Sequence, residues 1–397
     1  MTTATTTPAA KQAILEVRDL TVSFATDEGV VQAVDGVSFN LRAGEILAVV
    51  GESGCGKSVT AMTLLGLTRS PNARFEGTAT YKGTELLSAS DAELQRIRGA
   101  EIAMIFQDPM ASLNPVMRIG DQIVEQILAH DVTYEDHAIE DAVVETVASV
   151  TDPWWMPWRR GDNGPRQRAR ERAIELLERV GIPRARERVD AYPHEFSGGM
   201  RQRVMIALAL SCDPSILIAD EPTTALDVTV QAQILQRFRE LRDETNAALI
   251  LVTHDLGVVA DIADNIAVMY AGRIVEQGSL DDIFYDPQHP YTWGLMGAIT
   301  RIDRPRRSRL PTIPGLPPSL ANRPEGCHLR PRCPHEFDAC PQVPPLAARG
   351  DAARGAHLDR CWLEPERKRA LREIEPGEIG LEPKPPAPSA TTGGDVA

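Results

Sequence analysis

The stretch GESGCGKS, residues 51–58, has the most informative local pattern in this chain. It satisfies the pattern G-x-x-x-x-G-K-[ST], follows the strand-like EILAVV and precedes the helical KSVTAMTLLGL. Glycines let the backbone curl until successive N–H groups point at one anion, and the start of the next helix adds the positive end of its dipole. The stretch therefore predicts a phosphate-binding loop between a strand and a helix.

The loop also predicts the chemistry of the bound group. Lys57 is placed to reach the β- and γ-phosphates of a nucleotide, and the Ser58 hydroxyl is a ligand for Mg²⁺. Cys55 is interpreted as a small residue that fits the loop. The residues predicted to bind nucleotide here are Gly51, Ser53, Gly54, Gly56, Lys57, Ser58 and Val59.

A second segment, SILIADEP at 215–222, predicts the other half of the site. Its apolar strand ends in two adjacent carboxylates, of which Asp220 suits the Mg²⁺ shell and Glu221 suits the base that polarises an attacking water. Adjacent side chains on a strand point to opposite faces, but the backbone turns at a strand end. Both carboxylates are therefore expected to approach one ligand.

The remaining pattern indicates a parallel α/β core. Short apolar runs at 46–50, 216–219 and 248–252 are each followed by a turn and a helical pattern. The segment 230–241 places four apolar residues on one helical face, namely Ile234, Leu235, Phe238 and Leu241. No internal repeat is found, so one such core is predicted.

Composition limits the class of protein. A formal net charge of −14 over 397 residues argues against a nucleic-acid binder with a broad basic face. No signal peptide and no run of 18 apolar residues is found, so the chain is expected in the cytosol. There, its six cysteines are expected to be free thiols or metal ligands. Residues 1–12 and 376–397 are expected to be disordered.

Another anion-binding helix start is predicted at HEFSGGMRQR, residues 194–203. Ser197 is a candidate N-cap, followed by Gly198, Gly199 and an apolar helix. With this segment, four motifs stand in one order: GESGCGKS, SGGMRQR, ILIADEPTTALD and THD. In that order they resemble the ATP-binding subunits of ABC transporters over roughly residues 13–285.

The resemblance implies an α/β fold of the P-loop NTPase class, an ABC-type nucleotide-binding domain. A helical subdomain would span 108–196 with an insert at 131–170, and a small Cys/Pro-rich C-terminal extension would span 286–375. Two such domains would sandwich two ATP molecules head to tail. Ser197 and Gly199 would then contact the γ-phosphate held by the partner subunit, and Ala225-Leu226-Asp227 would cross the same seam.

Further roles are implied by position in the family pattern. His254 would hold the γ-phosphate and the attacking water, and Gln107 would sense Mg²⁺ and relay the nucleotide state. Phe24 would stack on adenine, although a core phenylalanine is the alternative. Met200 stands where many members carry Gln, but it is the Ser-Gly-Gly backbone that meets phosphate, so hydrolysis is still expected.

Three stretches look like the oligopeptide/dipeptide importer branch: DPMASLNP at 108–115, FSGGMRQRVMIA at 196–207 and QHPYTWGL at 288–295. That branch implies short peptides as substrates, sometimes glutathione or nickel complexes. The implied partners are a second, related ATPase subunit, two permease subunits and an extracytoplasmic peptide-binding protein, with no nucleic acid. The implied place is the cytoplasmic face of the membrane.

Four cysteines lie in the extension: Cys327, Cys333, Cys340 and Cys361. Their spacing lacks the close pair typical of zinc fingers, and two are followed by Pro, as in some iron–sulfur ligation. The importer resemblance implies a [4Fe–4S] cluster here, with a structural role. Zinc and four unliganded thiols remain the alternatives.

The insert carries three of the five tryptophans, Trp154, Trp155 and Trp158, beside Arg159 and Arg160. Docking at a lipid or protein interface and inward packing are equally compatible with this cluster. Two rival functions stay open from the sequence. One is a soluble ABC ATPase acting on nucleic acid or in translation, and the other is an iron–sulfur sensor that only binds nucleotide.

Overall fold

The computed structural model describes residues 13–27, 29–108, 112–130, 164–223, 227–298, 313–349 and 357–374. The predictions for the N-terminal lead, the C-terminal tail, the tryptophan cluster, and Ala225 and Leu226 lie outside these residues. Within the described ranges, no helix is both long and apolar enough to cross a membrane.

The central layer is one sheet of eight strands in the order β11-β12-β10-β9-β3-β8-β7-β6. Its members are β3 (Ile46–Val50), β6 (Ile102–Ile105), β7 (Ile216–Asp220), β8 (Ala248–Thr253), β9 (Asn265–Tyr270), β10 (Arg273–Ser279), β11 (Ala347–Arg349) and β12 (His357–Asp359). Strands β9, β3, β8, β7 and β6 run parallel, and every residue of β3, β7 and β8 is buried. The predicted parallel α/β core is therefore confirmed.

A separate antiparallel sheet has the order β2-β1-β4-β5. It consists of β1 (Ala13–Thr26), β2 (Gly29–Arg42), β4 (Ala73–Tyr81) and β5 (Thr84–Glu85). This sheet was not among the features predicted from the sequence. Its apolar residues, such as Val17 and Val34, join Leu47 and Ile250 of the central sheet in one hydrophobic core. The phosphate loop consequently begins on a strand that is covered on this side.

Helices pack on both faces of the central sheet. They are α1 (Lys57–Leu64), α2 (Asp91–Ile97), α3 (Ile119–His130), α4 (Pro165–Arg179), α5 (Ala185–Arg188), α6 (Gly198–Ala209), α7 (Val228–Thr245), α8 (Leu256–Ile262), α9 (Leu280–Tyr285), α10 (Pro290–Gly297) and α11 (Pro365–Ile374). In α7 the buried residues are Ile234, Leu235, Phe238 and Leu241, the face predicted from the sequence. Helices α3, α4 and α6 share a core with that face.

The C-terminal extension is built into the central sheet. Strand β12 pairs antiparallel with β10 and with β11. Tyr291 and Trp293 of α10 are buried, and Leu329 packs in the same core as Tyr291. Apolar residues of this extension, although its loops are rich in Pro, therefore pack in one core with the central sheet.

Candidate functional site

The phosphate loop lies between the carboxyl end of β3 and the start of α1, as its sequence context predicts. Gly56 is the N-cap of α1 with φ 106° and ψ 0°. A Cβ at this position would lie 2.4 Å from the backbone oxygen of Ala33. Only glycine fits both the left-handed backbone and this close approach. The loop is thus shaped by the residues that pack behind it.

Lys57 is buried in the loop that it is predicted to serve. Its side-chain Nζ donates hydrogen bonds to the backbone oxygens of Gly51 at 2.8 Å and Glu52 at 3.0 Å. Cys55 is also buried, and burial raises the pKa of its thiol. A buried ammonium at the start of α1 attracts a polyphosphate strongly.

The two residues predicted to ligate Mg²⁺ lie together. The Ser58 side chain lies beside Asp220, the last residue of β7, close enough to lower the pKa of that carboxyl. Burial and then the charge of Glu221 raise the pKa of Asp220, against the lowering effects of Ser58 and Lys57. Among the described residues, Asp220 Oδ1 is a buried oxygen with no hydrogen-bond partner. An orphaned carboxylate oxygen beside a hydroxyl fits a hard cation such as Mg²⁺.

Glu221 is held by residues from two other segments, the end of β8 and the residues after β6. Its backbone N–H donates to the backbone oxygen of Val252 at 2.8 Å, and its φ is 47°. Gln107 Nε2 donates to Glu221 Oε2 at 3.1 Å, and His254 Nδ1 lies 3.1 Å from Glu221 Oε1. The left-handed backbone turns this carboxylate away from the direction of the strand. Glu221 therefore lies between Gln107 and His254, near enough to Asp220 for its charge to act on that carboxyl.

The predicted second helix start is present. Ser197 is the N-cap of α6, and its Oγ accepts a hydrogen bond from the Met200 backbone N–H at 3.4 Å. Ser197 and Gly198 are exposed, and Gly199 is half-buried. Asp227 caps α7 in the same way, its Oδ1 accepting from the Val230 backbone N–H at 3.0 Å. Both helix starts have backbone N–H groups that are suited to an anion.

Phe24 lies on β1 opposite Val31 of β2 and Ala73 of β4. It is half-buried and packs against the core beneath the antiparallel sheet. This position leaves part of the ring accessible, which is compatible with stacking on a base. The adenine contact stays a prediction.

The four cysteines of the extension line one small cavity. Burial raises the pKa of Cys333 to about 12 and that of Cys361 to about 11. Neighbouring thiols contribute to both of these pKa increases. The backbone N–H of Cys327 donates to the backbone oxygen of Cys340 at 2.9 Å. Over the residues that the structure describes, no group of three or more His, Cys, Asp and Glu side chains is arranged to hold a metal ion.

Two residues of the extension that lie near the site were not predicted from the sequence. Tyr291 and Arg332 of the extension contact Glu52 in the phosphate loop, with Arg332 making two ion-pair hydrogen bonds. The only sequence signals are the positions of Tyr291 within QHPYTWGL and of Arg332 next to Cys333. Neither signal indicates a contact with a loop more than two hundred residues earlier.

Two family models match the chain. A model described as ABC transporter matches residues 34–224, and a model described as oligopeptide/dipeptide transporter, C-terminal region, matches residues 275–340. The first includes the phosphate loop, Gln107, the Ser197 helix start and Glu221. The second includes three of the four clustered cysteines.

Curated relatives match over most of their length. An oligopeptide transport ATP-binding protein, OppD of Salmonella typhimurium, is 49% identical over 346 residues, covering 87% of this chain and 93% of that protein. A dipeptide transport ATP-binding protein, DppD of Bacillus subtilis, is 47% identical over 356 residues, covering 89% and 96%. Among solved structures, the dimeric bacterial ABC transporter cassette MJ0796 has a TM-score of 0.54 at 25% identity, covering 67% and 98%.

Proposed function

The chain belongs to the ABC transporter family of ATP-binding proteins, and from that premise we propose that it is the ATP-hydrolysing motor subunit of an oligopeptide or dipeptide importer. The observation that carries this proposal is the near-full-length match to peptide-transport ATP-binding proteins together with the matched C-terminal region. The ATPase domain would span 13–285 and the extension 286–375. The same matches favour peptides over nickel or glutathione cargo and over a role in translation.

The geometry supports a hydrolytic reaction. The loop N–H groups and Lys57 would bind the β- and γ-phosphates, and Ser58 and Asp220 would hold Mg²⁺, which supplies charge neutralisation to the phosphates. Glu221 would accept a proton as a water oxygen bonds to the γ-phosphorus and the bond to the β–γ bridging oxygen breaks. Gln107 and His254, both in contact with Glu221, would orient that carboxylate and the water.

A second ATPase subunit would complete the site. The exposed helix start at Ser197, Gly198 and Gly199 would meet the γ-phosphate bound by the partner, and Asp227 would lie at the same seam. Exposure of Ser197 and Gly198 supports this role, because residues that contact a partner's nucleotide must lie on the surface of their own subunit. The partner would be a related chain.

We expect Ser197→Arg to lower ATP turnover by the assembled transporter about a hundredfold, because bulk and charge at the helix start would remove donors from the partner's γ-phosphate. Phosphate release measures turnover, and ATP binding by the isolated chain should be unchanged. Ser90→Arg is the matched control, since Ser90 is also an exposed N-cap serine. Equal turnover in the two variants would contradict the proposed seam.

The motor would act at the cytoplasmic face of the membrane on two permease subunits. An extracytoplasmic peptide-binding protein would deliver the peptide to those permeases. The decisive test reconstitutes the chain with those subunits in vesicles. Uptake of a labelled dipeptide or oligopeptide should require ATP and should stop with Lys57→Ala. ATPase activity that responds to nucleic acid but not to the permeases would instead support the rival function.

The four cysteines would hold a [4Fe–4S] cluster with a structural role. The support is chemical: four thiols line one cavity and are the donor type that such a cluster takes, although among the described residues they are not already arranged around a metal position. A bound cluster would supply crosslinks between Pro-rich loops rather than redox chemistry, since no second electron carrier is expected nearby. Zinc on the same thiols is the alternative.

We expect protein purified without oxygen to contain iron and acid-labile sulfide. Cys333→Ser should lose both, because one of four thiolate ligands is removed, and metal and sulfide analysis measures the loss. Cys212→Ser is the control, since Cys212 lies outside the shared cavity. Zinc without sulfide in the unaltered protein would refute the cluster.

A further inference from the structure

Glu52, the second residue of the phosphate loop, is tied to the C-terminal extension on two sides. Its backbone N–H donates to the Tyr291 hydroxyl at 2.9 Å. Its carboxylate accepts hydrogen bonds from both terminal nitrogens of Arg332, at 2.8 and 3.1 Å. Its backbone oxygen accepts from Lys57 Nζ, the ammonium that serves the phosphates. Glu52 therefore connects the extension to the group that binds nucleotide.

Arg332 is itself held in one orientation. Its Nε donates to the backbone oxygen of Pro314 at 2.8 Å, and Nη2 donates to that of Ile313 at 3.3 Å. Nη1 donates to the Tyr270 hydroxyl at 3.2 Å. The Arg332 side chain is only 5% exposed, against 25% for the Glu52 side chain. Because the Arg332 guanidinium is anchored in this way, the Glu52 carboxylate that it binds through two hydrogen bonds has little conformational freedom.

The anchoring segment carries two of the clustered cysteines. Arg332 ends a 3-10 turn at Arg330–Arg332 and is followed directly by Cys333. The backbone N–H of Cys333 donates to the backbone oxygen of Arg330 at 3.2 Å, and that of Arg330 donates to Cys327 at 3.0 Å. One short, internally bonded segment thus joins the cysteine cavity to the phosphate loop.

We propose that Arg332 is a positioning residue for ATP binding, which holds Glu52 so that the phosphate loop keeps its nucleotide-binding shape. A glycine-rich loop has many accessible conformations, and ordering it before the ligand arrives removes part of the entropic cost of binding. The extension consequently sets the affinity of a site to which it contributes no phosphate ligand. This inference rests on the proposed function, because it takes ATP to be the ligand of the loop.

The charge of Glu52 and its role in positioning the loop predict opposite effects on ATP binding when its carboxylate is removed. Loss of a carboxylate beside the loop would by charge alone strengthen the binding of an anion such as ATP. Loss of the tie to Arg332 would weaken binding, because the loop is no longer ordered. Glu52→Ala therefore separates the two effects, and it does so without altering the C-terminal segment.

The experiment measures binding of a fluorescent ATP analogue to the purified full chain. We expect Arg332→Met to weaken ATP binding about tenfold, because it removes the bidentate ion pair with Glu52. Arg332→Lys should recover part of the lost affinity, because it keeps the charge. Glu52→Ala should weaken binding several-fold, and the double variant should be no worse than Arg332→Met. Arg330→Met is the matched control, because Arg330 pairs with Glu336 at 3.4 Å instead of with the loop.

A second readout separates positioning from general stability. In the assembled transporter, Arg332→Met should raise KM for ATP while kcat at saturating ATP is largely kept. Thermal unfolding of each variant identifies any that fail to fold. If Arg332→Met does not fold, Glu52→Ala still tests the proposal, because it removes the same ion pair by a change in the phosphate loop. Unchanged or tighter binding by Glu52→Ala, or a folded Arg332→Met chain with unaltered affinity, would overturn the proposal.

Wild type and Lys57→Ala belong in the same binding assay. If the wild-type chain binds no ATP, or binds it as Lys57→Ala does, the proposed function fails. If the wild type binds ATP through Lys57 and both Arg332→Met and Arg330→Met bind alike, only the positioning role of Arg332 fails.

Discussion

Replacement of Glu221 by glutamine should slow ATP hydrolysis at least about a hundredfold, the usual contribution of a general base, while ATP binding persists. The amide has nearly the same shape as the carboxylate, so contacts with Gln107 and His254 can be kept. It has no site for the proton released by the attacking water. Phosphate release by the assembled transporter measures turnover, and a fluorescent ATP analogue measures binding.

Glu76→Gln provides the control for this substitution. Glu76 is an exposed carboxylate on β4, in the antiparallel sheet. The same chemical change there should leave turnover unaltered. Hydrolysis by Glu221→Gln at more than a tenth of the wild-type rate would show that another group takes the proton.

Replacement of Gly56 by alanine should abolish nucleotide binding and lower the free energy of unfolding by about 3 kcal/mol, from backbone strain and steric overlap together. Gly56 has φ 106°, and the added Cβ would lie 2.4 Å from the backbone oxygen of Ala33 and 2.8 Å from Met269 Cε. The backbone oxygen belongs to a neighbouring strand and has little room to move. The loop must then leave its nucleotide-binding shape.

Gly83→Ala is the matched control for this effect. Gly83 also has a left-handed backbone, φ 88°, but a Cβ there meets nothing within 4 Å. Backbone strain alone should cost about 1–2 kcal/mol, and ATP binding should be unchanged. Chemical denaturation measures both variants. A Gly56→Ala chain that binds ATP normally would contradict the close packing behind the loop.

Much of the nucleotide site could be predicted from the sequence because its elements are local. The phosphate loop, the Ser197 cap and the apolar face of α7 each depend on spacing within a few residues, and the structure confirms these local features. The contact of Gln107 with Glu221 joins distant segments, but the family resemblance placed both residues at the same nucleotide. The roles of Phe24 and Asp227 at a bound nucleotide stay predictions.

The antiparallel sheet and the built-in extension were harder to predict for a physical reason. Strands β1 and β4 alternate in burial irregularly, with register shifts between Val17 and Val22, so their period-two signal is weak. In the extension, β11 and β12 are three residues each, and β11 begins shortly after Pro344 and Pro345. Such short strands are defined by pairing with β10 rather than by their own pattern.

By itself, the sequence determined the class of fold, the phosphate loop, its acidic partner strand and the capped helix start, because each is specified by residues close together in the chain. The contacts of Glu52 with Arg332 and Tyr291, in contrast, are seen only in the folded chain. These contacts join residues 280 and 239 positions apart, and they depend on the extension folding back onto the central sheet. Hydrogen bonds between such distant segments leave no periodic or local trace in the order of amino acids.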